Sequence, residues 1–161
     1  MKSIILLTLT SLTVHAQACP DVSGTFAGRC YSIRVCDNQQ VSSPSGTDMS
    51  YVISQKACDK ISVVTSNSMV SDRDVEYSPG VAIKFETEKA TLYSMLSYGD
   101  VQMIREQKVD STDPAGALYA RDTFQKIQSG GLPHLHFSSE VYTASGNCHQ
   151  SVDCVIPEVT P

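Results

Sequence analysis

The chain has 161 residues, 41 % of them apolar, with 12 Lys and Arg against 17 Asp and Glu and a formal net charge of −5. One domain of this size can bury a substantial core. The basic residues are scattered without a run or stripe, which excludes nucleic acid as a partner, because backbone binding depends on clustered Lys and Arg.

The first element is a leader. Lys2, the apolar stretch from Ile4 to Val14, and Ala16-Gln17-Ala18 form a basic n-region, a short h-region and an A-x-A site, so residues 1–18 read as a signal peptide. The apolar stretch falls well short of the roughly 20 residues that span a bilayer, and no later stretch is a transmembrane segment. Residues 19–161 then form a single domain, expected to be secreted or periplasmic. A lipid anchor on Cys19 is not expected, since a lipobox wants Leu and a small residue where Ala16 and Gln17 stand. Acylating Cys19 would also leave an odd thiol in an oxidising compartment. Cys19, Cys30, Cys36, Cys58, Cys148 and Cys154 are therefore the candidates for three disulfides. The pairing is open, with Cys148–Cys154 the favoured single bridge. No CxxC pair points to zinc.

After the leader, successive strands are punctuated by turn residues. Val22–Cys30 is a first strand, and Tyr31–Val35 either continues it or forms a second. Asp37 to Asp48, rich in Ser, Gln and Gly, reads as a surface loop. The alternation of Met49, Tyr51 and Ile53, then Ile61 and Val63, predicts a hairpin. Ser78-Pro79-Gly80 turns into Val81–Glu86, whose Val81, Ile83 and Phe85 share one face. Tyr98-Gly99-Asp100 and Ser129-Gly130-Gly131 predict two further hairpins, pairing 91–97 with 101–109 and 117–128 with 132–143. Residues 113–128 also fit an amphipathic helix, and strand or helix stays open there. The tail from Val155 is expected to fray. The sum is an all-β fold of about nine strands, a single antiparallel up-and-down barrel or tight β-sandwich braced by disulfides.

Cys19-Pro20-Asp21-Val22-Ser23-Gly24-Thr25-Phe26 resembles the opening of a group of small exported bacterial proteins. It also looks like the first strand of the calycin barrels, lipocalins and avidins, which open with Gly-x-Trp. In those families the tryptophan closes one end of the barrel and the ligand enters at the other. Gly24-Thr25-Phe26 occupies that place here, in a chain without tryptophan. The resemblance implies an up-and-down barrel.

His134 and His136 are the candidate metal ligands. In a strand they share a face, opposite Leu135 and Phe137, and a zinc or copper ion would need a third donor from a neighbouring strand. Glu140, about 13 Å further along, is too far to join. Pro133 suggests an edge strand. His149 beside a disulfide-bonded Cys148 makes no catalytic pair. Asp72, Asp74, Asp110 and Asp113 read as turn residues. The tyrosines read as cross-strand packing, with a carbohydrate platform as the weaker alternative. No nucleophile elbow or phosphate loop occurs, so neither enzymatic activity nor a cofactor is expected. Three functions remain: an exported binding protein holding a small apolar ligand in its barrel, a cell-envelope structural or protein-interaction module, and a metal-binding protein using His134 and His136.

Overall fold

The computed structural model describes residues 19–66, 75–111, 118–143 and 148–160. They form eleven strands: β1 (Gly24–Cys36), β2 (Gln39–Gln40), β3 (Ser45–Lys56), β4 (Lys60–Thr65), β5 (Val75–Tyr77), β6 (Ala82–Glu86), β7 (Ala90–Tyr98), β8 (Met103–Ser111), β9 (Leu118–Ser129), β10 (Leu132–Thr143) and β11 (Cys148–Pro157). All pair antiparallel in one sheet of order β5-β4-β3-β1-β11-β10-β9-β8-β7-β6, with β2 on β1. Passing over the off-path β2, every neighbour on that path follows in sequence except β11 beside β1, the pairing that curls the meander into a nearly closed up-and-down barrel. At the seam between β5 and β6, Tyr77 and Ser94 hydroxyls meet at 2.9 Å and the Gly80 amide donates to the Leu96 carbonyl.

The expected barrel is present, with corrections in detail. Tyr31–Val35 continues the first strand, as one of the two readings has it, but that strand runs from Gly24 to Cys36 rather than from Val22. The 37–48 loop is a hairpin: Asp37 and Asn38 take left-handed backbone (φ 49° and 61°) in a two-residue turn, and residues 45–48 already belong to β3. Residues 118–128 are strand, and Gly130-Gly131 (φ 61° and 80°) is the tight turn joining β9 to β10; residues 113–117 lie outside the described residues, as do Asp72, Asp74 and the leader 1–18. Asp110 is not in a turn but in β8, paired with Lys108 at 2.8 Å. The segment from Val155 does not fray; it completes β11, Ile156 is fully buried, and Val159 donates to the Thr25 carbonyl. β10 is not an edge strand. Pro133 is tolerated because its missing N–H falls beyond the β11 ladder, where Glu158 N–H caps the Pro133 carbonyl.

The three disulfides are Cys19–Cys58, Cys30–Cys154 and Cys36–Cys148. The favoured Cys148–Cys154 bridge is wrong for a simple reason. Six extended residues separate the two by roughly 20 Å, far beyond the reach of a disulfide. Two of the actual bridges instead weld β1 to β11, and the third pins Cys19 to the β3–β4 turn. Such bracing fits an extracellular or periplasmic protein.

The two ends of the barrel differ. At one, the turn end, short connections join β3 to β4, β5 to β6, β7 to β8 and β9 to β10, and residues 19–23 and 158–160 cross. There Val22, Phe26, Ile61, Met103, Leu135 and Ile156 are buried. Phe26 stands where the resemblance places a closing tryptophan, with Lys126 Nζ 5.8 Å from its ring centroid and donating to the Ser23 carbonyl at 2.7 Å. Above them Tyr51, Phe124 and Phe137 pack with centroids 4.9–5.6 Å apart. This half of the interior is a filled core. The outward positions carry charge instead: Lys84, Glu86, Glu106, Lys108, Asp110 and Arg121 occupy β6 to β9, where a lipid-facing barrel has an apolar band. Among the described residues no helix is long and apolar enough to cross a membrane.

Candidate functional site

Above the aromatic core, the inward positions form three lateral rows toward the other end, the loop end. The first runs Leu96, Arg105, Asp122, Ser139, Val152 and Ser32. The second runs Ser94, Gln107, Ala120, Val141, Gln150 and Arg34. The third carries Phe85, Leu92, Val109 and Leu118, all half-buried. The wall therefore changes from large aromatic groups to small and polar ones, then to an apolar rim.

The first row holds a buried ion pair. Arg105 Nε and Nη2 donate to Asp122 Oδ2 at 2.8 and 2.6 Å, with the residues 8 % and 4 % exposed. Burial opposes the guanidinium charge, but the Asp122 carboxylate, helped by Tyr77 and Tyr51, more than offsets this and holds its pKa above the ordinary value. Arg105 also lies 5.4 Å from the Phe124 ring centroid. Sequence reasoning missed this pair. The signal was available: Asp122 alternates in step with Ala120 and Phe124, so a charge stands on the core face.

The second row opens into a groove of about 470 Å³, lined by Ser32, Arg34, Ser42, Ser43, Ser45, Val141, Cys148 and Gln150 with Ile33 and His149. Six of these side chains keep the alternation of buried Cys30, Tyr51, Phe137 and Ile156, which places the groove on the inner wall. A local break in pairing makes room for it. Val35 pairs with Gln40 and Ser32 with Ser45, so residues 41–44 oppose only Ile33 and Arg34. In this bulge Val41 donates to the Arg34 carbonyl at 2.9 Å, and the Arg34 amide donates to Ser42 Oγ at 2.8 Å. Bulges re-aim side chains beside functional sites; this one turns two serines toward the groove.

His134 and His136 do share the outward face of β10, flanking the buried Leu135. His136 Nε2 is 3.3 Å from both carboxylate oxygens of Asp153, and His134 Nδ1 is 2.9 Å from the Leu132 carbonyl. Register places Asp153 opposite Ser138, toward the loop end from His136, whereas His134 lies toward the turn end. One ion cannot draw on all three. Among the described residues, no three His, Cys, Asp or Glu side chains are grouped for a metal. Glu140 instead accepts the Tyr142 hydroxyl at 2.8 Å.

Outward tyrosines pack across strands as the alternation suggests. Tyr142 stacks on His149 with centroids 4.9 Å apart, and Tyr119 follows at 6.4 Å. One face of the Tyr142 ring is thus taken by His149. Compared with known proteins, the chain matches no family model, no curated protein and no solved structure.

Proposed function

We propose that this protein is a non-enzymatic binding protein that receives a small ligand on the inner wall of the barrel at its loop end. One observation carries the reading: the groove beside the 41–44 bulge has a volume in the range of small-molecule sites, whereas the turn-end half is filled. The calycin-like start, with Phe26 closing that half, supports the same polarity of the barrel. The lining argues for an amphiphile rather than a wholly apolar molecule. Its apolar part would lie against Val141 and Ile33, and its polar part against Arg34 and Gln150. Native mass spectrometry of protein made in an oxidising compartment tests this. A discrete adduct lost in Val141→Trp, which fills the groove, is the expected result. A bare native mass, together with no binding from a panel of small amphiphiles, sinks it.

A second reading, an interaction module of the cell envelope, is favoured by a different feature. Val81, Val101 and Leu132 are 55 %, 59 % and 66 % exposed, and all three stand at neighbouring turn-end connections. Envelope partners that co-purify with the wild type and are lost in V101D/L132D would support it. Unchanged capture would remove it.

A further inference from the structure

We propose that the loop-end groove recognises an anionic group of oxygen atoms, a carboxylate or phosphate, held by Arg34, Ser42 and Gln150; this rests on the binding reading above and names the ligand's chemistry. Among the described residues, none lining the groove is acidic, in a chain with 17 Asp and Glu. Among the described residues no carboxylate pairs with the Arg34 guanidinium. Lys60, Lys84, Lys108, Arg105 and Lys126 each have an acidic partner, and of the described cations without one (Arg29, Arg34, Lys56 and Arg121) only Arg34 lines the groove. An exposed guanidinium in a groove whose described lining holds no carboxylate is a fork of donors suited to two oxygens of one anion.

The neighbours complete the donor set. Ser42 Oγ already accepts the Arg34 amide hydrogen, which leaves its own hydroxyl proton to donate outward. Its carbonyl is separately held by Gln40 Nε2 at 2.8 Å, fixing the bulge that presents it. Gln150 sits directly opposite Arg34 in the β1–β11 register, and Val141 directly opposite Gln150 in the β10–β11 register. A guanidinium, an amide and a hydroxyl therefore line one groove beside Val141, an arrangement that accepts negative oxygens and, among the described residues, offers no negative charge to a cation.

The experiment is an NMR titration of the oxidised, folded protein with benzoate, phenyl phosphate and the neutral isostere benzamide. One or both anions should shift the amides of Arg34, Ser42, Ser43 and Gln150, with benzamide at least about tenfold weaker. Which anion binds decides between carboxylate and phosphate. R34Q should weaken anion binding by about tenfold or more, as expected for loss of a charge-assisted hydrogen bond. R34K should retain part of it, and neither should change the melting temperature appreciably. Equal binding of benzamide and the anions in the groove, or an anion affinity unmoved by R34Q, overturns the anion assignment while leaving a ligand groove in place. Silence of the groove toward all three compounds overturns the anion assignment, and the adduct experiment above then decides the binding reading by itself.

Discussion

Arg105 and Asp122 face each other directly across β8 and β9 inside the barrel, and both donors of the guanidinium converge on one carboxylate oxygen. Removing either partner leaves a buried charge without compensation. Asp122→Asn or Arg105→Met alone should therefore cost about 3–5 kcal/mol, whereas the double exchange Arg105→Met/Asp122→Leu should be near neutral or stabilising. Urea unfolding of the three variants checks this. Equal, additive losses would mean that the pair contributes little beyond packing.

The two bridges between β1 and β11 are coupled through the loops they close. Cys30–Cys154 and Cys36–Cys148 span sequence separations of 124 and 112. With one intact, however, the other closes only the short ring between them. Removing either alone should cost about 3 kcal/mol, and removing both about 8 kcal/mol, because only the second loss frees the long loop. Denaturant melts of the Cys→Ala pairs under non-reducing conditions measure the excess. A double loss equal to twice the single one would contradict the ring argument.

Much of this fold was legible because its strands carry a period of two and its turns carry Gly-Gly, Ser-Pro-Gly and Tyr-Gly-Asp. The β9–β10 hairpin and the face shared by His134 and His136 followed from that pattern alone. What the pattern could not supply was pairing at long range. β11 lies beside β1 through contacts more than a hundred residues apart, and two of the three disulfides follow that neighbour relation, so the intra-strand pairing Cys148–Cys154 that the sequence favours does not form. The 37–48 segment was misread because Asp37-Asn38 lacks glycine, although both residue types tolerate left-handed backbone. The groove was invisible for the same reason, since it arises from a register shift between β2 and β3 rather than from any motif.

Gly24 of the Gly24-Thr25-Phe26 opening is sterically required. Its φ is 151°, and a Cβ there would lie 2.5 Å from Glu158 Oε1 and 2.7 Å from Phe26 Cζ. Gly24→Ala should therefore cost about 3 kcal/mol or more through backbone strain and overpacking of the turn-end plug. Thermal unfolding checks it. A variant melting within a degree or two of the wild type would show that Glu158 and Phe26 yield easily.

Tyr51 gives the fold an alkaline limit. Burial, reinforced by the nearby Asp122 charge and only partly offset by Arg105, pushes its phenol far above the ordinary value. In the unfolded chain the same phenol ionises near about pH 10. Its neutral form is thus favoured by folding, and that contribution is complete below about pH 10 and is lost as pH rises from there through the folded-state value. Stability should fall with pH above 10 by about 1.4 kcal/mol per unit from this one group. Tyr51→Phe should remove that slope while keeping the ring contacts to Phe124 and Phe137. Urea melts of both proteins between pH 9 and about 11.5, spanning the unfolded phenol's titration, measure the difference. Parallel curves would show that Tyr51 reaches solvent before the barrel opens, and would place the alkaline limit on the exposed tyrosines instead.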